Sequence, residues 1–305
     1  MSAKSHDITL GEKIWKYRWF YLFISPFFIS FLLLGLYPLL FSIYLSVVDW
    51  DGITTPKFVG LGNFVQLFHD ELFYISLKNT LLIAIYYIPP MFLLAFLFAV
   101  MLNGPVTKFR AFFRAAVFIP CITPMVVIAI VFSLMFGMEY GLFNFVIKHV
   151  AGWFNVKTDG VRWLQSESMS KVSIAILVVW RWTGYNMLLL LAGLQGISHE
   201  LYEAATLDGA SKLQQMRHVT LPLLRPTFVF CGIMSLLGSV YMFDEVFVLT
   251  GGGPGVSSLN FGLFLFNKAF GDFRFGYASA AAYVIAFVVF ILSITVFRWG
   301  QKGNA

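Results

Sequence analysis

EAATLDGASKLQQMRHVTLPLLRP, Glu203 to Pro226, is a compact polar stretch between two long apolar runs. Ser198 is placed to cap a helix N-terminus, Glu200 and Glu203 suit the positive end of its dipole, and Leu201, Ala204, Ala205 and Leu207 are good helix formers. Gly209 ends that helix as a C′ glycine does. Ser211 and Gln214 then have the S-x-x-Q spacing of a capping box, which predicts a second short helix to about His218 before Leu221 and Pro222 stop it. The stretch reads as helix, glycine elbow, helix. Its small residues make a close-packing face, with charge at Glu203 and Asp208, a shape that suits docking into a groove of another protein. The other reading is an amphipathic helix lying on lipid, but such helices carry a basic polar face and large apolar anchors. Here the face is acidic and alanine-rich.

What lies on either side decides the class. Of the 305 residues 59% are hydrophobic and only 12% charged, and the mean hydropathy is +0.80, a balance that fits a chain dissolved in lipid. Charge-poor segments run over 20–48, 79–106, 115–138, 172–198 (interrupted by Arg181), 226–243 and 275–297. Each supplies the roughly 20 apolar residues that cross a hydrocarbon core. Lipid offers no hydrogen bonds to bare backbone and the segments lack strand alternation, so the expected fold is all-α, a polytopic bundle of six transmembrane helices.

Lys4, Lys13, Lys16, Arg18, Lys108, Arg110, Arg114, Lys212, Arg217, Arg225, Arg298 and Lys302 all fall on one side of such a bundle. The positive-inside rule makes that side, with both termini, cytoplasmic. Basic residues also occur in the external loops, Lys148 and Arg162 among them, so the bias is modest. The formal net charge of +6 is dispersed over these flanks and forms no dense stripe, which argues against nucleic acid. The first apolar run is too long for a secretory signal and reads as a retained span. Cys121 and Cys231 sit inside expected helices as small apolar residues, and no disulfide framework or metal site is suggested.

Prolines interrupt several spans: Pro26 and Pro38, Pro89 and Pro90, Pro120 and Pro124. Lipid tolerates them where neighbouring helices or a water-filled cavity satisfy the freed carbonyls, so a transport path and plain packing kinks both account for them. The short connection 107–114 makes helices two and three antiparallel neighbours.

The opening stretch resembles the EAA loop of bacterial ATP-binding-cassette (ABC) importer permeases, with Glu203, Ala204, Ala205, Gly209, Leu221 and Pro222 in register. FVGLGNFVQLF (58–68), FRAAVFIPCITP (113–124), MLLLLAGLQGISHELYEAA (187–205), FDEVFVLTGGGPG (243–255) and FGYASAAAY (275–283) resemble the carbohydrate-uptake branch of that family, on its maltose-, raffinose- and glycerol-phosphate-type first-permease side. The resemblance implies a type I importer permease fold. It implies a cytoplasmic tail over 1–19, a first helix (20–48) that wraps a partner permease, a five-helix core (79–298) containing the coupling loop (198–222), and a short tail over 299–305. It also implies import of a sugar or sugar derivative by alternating access in a bacterial inner membrane. The partners would be a second homologous permease, two ATPase subunits that bind ATP and Mg, and an extracytoplasmic sugar-binding protein. The coupling residues would be Glu203, Ala204, Ala205, Asp208, Gly209, Leu221 and Pro222.

Charged residues inside spans default to functional hypotheses. At 1.5 Å per residue Arg181 and Asp244 differ in depth by only about 6 Å. The expectation is an intramembrane pair among Arg181, Asp244 and Glu245, serving either transport or helix packing. Trp180, Trp182, Tyr185, Asn186, Tyr241 and Asp244 supply the aromatic faces and hydrogen-bonding groups that sugars need, though such stripes also serve helix packing or interfacial belts. With the segments that contact substrate in maltose-type relatives, the resemblance points to Cys121, Met125, Gly184, Tyr185, Met187, Tyr241 and Asp244 along the substrate path. GGGPG, 251–255, lacks the lysine and spacing of a phosphate cradle and reads as a flexible external turn. No catalytic motif appears and no cofactor is expected on this chain. Two alternatives stay open, a secondary transporter using Asp244 as a proton site and an intramembrane enzyme using Asp244, Glu245 and Arg181.

Overall fold

The structure, a computed structural model, describes residues 11, 15–104 and 109–301. Residues 1–10 and 12–14 of the expected 1–19 tail fall outside them, as do Lys4, Lys13, Lys108, Lys302 and the end of the 299–305 tail.

The chain begins with α1 (Arg18–Ser30), a π-helical segment (Phe31–Leu36) and α2 (Tyr37–Ser46), which together form one continuous span. A wider turn just ahead of Pro38 has a plain cause, because the proline ring crowds the carbonyl four residues back. The hairpin β1 (Val48–Asp49) and β2 (Lys57–Phe58) and the short α3 (Gly62–Phe68) follow. They fold back on the bundle through Asn63, whose Nδ2 donates to the carbonyls of Ser46 (3.1 Å) and Val48 (2.8 Å).

The centre is a pair of long helices, α4 (Glu71–Asn103) and α8 (Met169–Gln195), packed along most of their length. Ala95 and Ala99 of α4 are fully buried against Met187, Leu190, Leu191 and Leu194 of α8. Small residues four apart let helices approach closely in lipid, where dispersion rather than water exclusion drives packing. Between these two helices run α5 (Arg110–Ile122), α6 (Met125–Met135) and α7 (Leu142–Trp153).

The expected third span, 115–138, is not one rod. Pro124 caps α6, and α5 and α6 meet at a bend of 96°. The residue before a proline is pushed out of the helical region, and Thr123 is extended, with ψ at 137°. Among the described residues five helices are long and apolar enough to cross a membrane, or six if the bent pair is one span. Helix α5 also leans chiefly on α8 and only lightly on α4, so helices two and three are weak neighbours.

After α8 come α9 (His199–Leu207), α10 (Lys212–Gln215), a π-helical turn (Met216–Thr220) and α11 (Leu221–Tyr241). Pro222 does not stop the second loop helix. The chain stays helical from Lys212 to Tyr241, because the π turn ahead of Pro222 makes room for the ring. The fifth span therefore begins inside the 198–222 loop.

Beyond Tyr241 the helix breaks, and α12 (Asp244–Leu249), α13 (Phe261–Phe266), a π-helical turn (Asn267–Gly271) and α14 (Phe275–Gln301) complete the chain. Helix α14 thus runs into the segment expected as a tail. The glycine-rich turn 251–255 is pinned rather than loose. Ser258 Oγ donates to the Gly253 carbonyl at 2.7 Å, and buried Asn79 of α4 donates to the carbonyls of Val256 and Leu259.

Candidate functional site

Two places carry the chemistry expected from the sequence. The first is the polar loop. Ser198 Oγ accepts from the Glu200 N–H at 3.3 Å, so α9 starts as its sequence predicts. Gly209 ends it with φ at +78°, and the Ala210 N–H reaches back to the Ala205 carbonyl at 2.9 Å. A Cβ at Gly209 would touch nothing, so the backbone angle alone requires glycine. Both halves of the Ser211–Gln214 capping box are made.

One residue that sequence reasoning passed over holds the elbow shut. Gln215 is buried, and its Nε2 donates to Thr206 Oγ1 (2.9 Å) and the Ala210 carbonyl (3.2 Å), tying α10 to α9. Tyr202 and Thr220 add a hydroxyl contact at 3.0 Å between α9 and the base of α11. The only hint was a glutamine beside the capping box.

Glu203, Ala204, Asp208, Gly209 and Leu221 are exposed, Ala205 is half-buried, and Pro222 sits in the first turn of α11. Glu203 takes His199 Nδ1 at 3.0 Å on the open face of α9. Leu207 and Leu213, flanking the elbow, are 89% and 79% exposed. Two bare leucines at the tip of a braced polar loop form a knob that a partner's groove can bury.

The second place is a cleft of about 400 Å³ where α4, α8 and α11 converge. Tyr87 and Met91 come from α4, Trp182, Tyr185 and Asn186 from α8, Ser235, Gly238 and Tyr241 from α11, and Glu245 from α12. Tyr87 is anchored, its hydroxyl donating to the Ser235 carbonyl at 2.8 Å and lying 2.7 Å from Ser239 Oγ. Asn186 Nδ2 donates to the Trp182 carbonyl at 3.0 Å, and the Trp182 and Tyr185 rings meet edge to face.

The break after Tyr241 sets the electrostatics. It turns Asp244 out to an exposed position and Glu245 inward, so Arg181 pairs with Glu245 at 3.7 Å and the expected Arg181–Asp244 pair is not formed. Adjacent residues on a helix point about 100° apart, which is why only one acidic side chain can face α8. The Arg181 guanidinium lies 5.5 Å from the Trp182 ring centre, and its Nε has no hydrogen-bond partner.

Of the expected path residues, Tyr185 and Tyr241 line the cleft. Met187 is fully buried in the α4–α8 packing, and Gly184 is pressed against the Val117 carbonyl of α5. Cys121 and Met125 flank the α5–α6 bend and Asp244 lies outside the lining. Trp180 packs against Phe132 instead. Tyr87, Met91, Ser235 and Gly238 were missed because, in a long apolar run, nothing marks which helix face lines a cleft.

Comparison with known proteins gives these two places a context. The family described as binding-protein-dependent transport system inner membrane component matches residues 91–300. The lactose transport system permease protein LacF of Rhizobium radiobacter is 35% identical over 91% of this chain and 92% of its own length. The trehalose/maltose transport system permease protein MalF of Thermococcus litoralis is 33% identical over 95% and 96%. A chain from the crystal structure of a bacterial ABC transporter involved in the import of the acidic polysaccharide alginate superposes with a TM-score of 0.80 over 96% of this chain and 98% of that one. At 22% identity that likeness bears on the fold, and it is the fold of a type I ABC importer permease. The chain belongs to the family of binding-protein-dependent transport system inner membrane components, and is a multi-pass ABC transporter permease.

Proposed function

We propose that this chain is a permease subunit of an ATP-driven, binding-protein-dependent sugar importer, coupled to its ATPases through residues 198–222. The observation that carries this reading is the braced loop itself. A glycine elbow, an internal glutamine and two exposed leucines make a rigid knob fit to transmit force, with Glu203, Ala204, Ala205, Asp208, Gly209, Leu221 and Pro222 in the family register. Because α10 runs on into α11, a push on the knob moves a helix that lines the cleft.

Relatives named for lactose, arabinooligosaccharide and trehalose/maltose transport support a sugar cargo. The cleft suits one, with aromatic rings for sugar faces and Asn186, Ser235 and Glu245 for hydroxyls. The span from Arg18 to Ser46 is largely exposed and apolar, which supports its wrapping a second permease within the bilayer. In the assembled importer an external binding protein delivers the sugar, two ATPases hold ATP and Mg, and ATP favours one of two permease states. The permease contributes path and coupling but no bond chemistry. Both termini lie in the cytoplasm, and the cell membrane concerned is the bacterial inner membrane.

The test is Glu203→Lys in the whole transporter. ATP-driven uptake of the sugar should be abolished while the chain stays inserted, and wild-type uptake would refute the coupling role.

A further inference from the structure

The geometry points to α7 as an interfacial helix that lies along the bilayer surface on the face opposite the 198–222 loop, with its outer stripe seated in lipid. Its rotation is fixed. Asn144 is fully buried, its Nδ2 donating to the carbonyls of Met138 (3.1 Å) and Val161 (2.9 Å), and its Oδ1 accepting from Val161 N (2.8 Å) and Trp163 Nε1 (3.2 Å).

Its depth is fixed as well. The Phe143 ring stacks on Phe136 at 4.9 Å and meets Trp163 at 5.7 Å. The Trp163 carbonyl in turn accepts from Ser173 Oγ at 3.0 Å. Ser173 lies about 6 Å inside the start of α8 at 1.5 Å per residue, so α7 sits at the level where that span enters the membrane.

With its inner face held, α7 still presents a second apolar face. Leu142, Val146 and Trp153 fall within about 40° of one another at 100° per residue, and all three are exposed. Ile130 and Leu134 of α6, the helix just before α7 and half of the bent pair that would make a sixth span, are exposed and apolar as well. The occupant is lipid rather than a soluble protein. Apart from the Trp153 indole N–H at its end, the stripe offers a polar rim only His149, whose ring lies against Phe145 at 4.2 Å. Exposed Trp153 at the end of the helix, exposed Tyr140 just before it and Lys148 on its polar edge are the groups that sit among headgroups. The interfacial arrangement rejected for the acidic 198–222 loop is thus met at the other face of the membrane. It depends on the chain spanning the bilayer and not on what is carried.

The experiment places the photoreactive residue p-benzoylphenylalanine at Leu142, Val146 or Lys148 in the complete transporter, reconstituted in vesicles of phosphatidylethanolamine and phosphatidylglycerol. After irradiation, mass spectrometry of the chain should find a phospholipid adduct at positions 142 and 146, several-fold weaker at 148. Two probe positions on the stripe guard against one that disturbs folding. No adduct at 142 and 146 would mean a water-facing helix, and an adduct to another protein subunit would mean a covered one. Either result overturns the proposal.

Discussion

Arg181 of α8 and Glu245 of α12 meet at 3.7 Å beside the cleft, with side chains only 15% and 11% exposed. Removing one partner of a buried pair strands the other, at a cost of about 3 kcal/mol. Arg181→Met and Glu245→Gln should each lower the thermal unfolding midpoint of the purified chain, and the double variant should lose clearly less than the sum of the two. Strict additivity in that double-mutant cycle would mean the contact carries no coupling.

The same pair sets the charge of the cleft. Glu245 is the one charged side chain in its lining among the described residues, and Arg181 neutralises it. Glu245→Gln should therefore raise the relative uptake of an anionic sugar over its neutral counterpart. A competition assay with a sugar and its uronate or phosphate measures the ratio, and an unchanged ratio contradicts the assignment.

At Gly209, φ of +78° excludes ordinary side chains at a cost of about 1–2 kcal/mol. Gly209→Ala should weaken retention of the ATPase by the purified permease, and Gly209→Asn should do so less, because asparagine tolerates the left-handed region. Equal retention by all three proteins would show that the elbow's shape does not matter for docking.

Gln215 gives a sharper test of the brace. Gln215→Leu keeps bulk but leaves Thr206 and the Ala210 carbonyl without their donor, a loss of about 1–3 kcal/mol. Protease cleavage between α9 and α10 should quicken in this variant and not in Arg217→Ala, which alters an exposed residue of the same loop.

Much of this architecture was legible beforehand, and the misses share a cause. The caps at Ser198 and Ser211 and the end at Gly209 are local, set by hydrogen bonds within a few residues, and they formed as read. Pro222 failed as a stop signal because a π turn accommodates it, and a sequence does not show in advance whether a helix will widen or end. The choice of Glu245 over Asp244 depended on a break at Met242–Phe243 that no proline or glycine announces. Met187 and Gly184 were placed on the path by the family resemblance alone, and here packing claims them.

Gly184 turns that correction into a prediction. A Cβ there would fall 2.0 Å from the Val117 carbonyl, backbone that cannot step aside, whereas one at Gly238, in the cleft lining, meets nothing within 4 Å. Gly184→Ala should reduce folded yield, at a cost of about 1–3 kcal/mol or more. Gly238→Ala should express normally and raise the KM for uptake. Folded yield by size-exclusion chromatography and uptake kinetics separate the two.

The most direct measurement is purification of the tagged chain from its own membrane in mild detergent, with mass spectrometry of everything retained. The account predicts a nucleotide-binding ATPase and a second multi-span permease in fixed ratio, with the ATPase depleted and the second permease retained when Glu203→Lys replaces the native chain. A chain that purifies alone under every mild condition would contradict it.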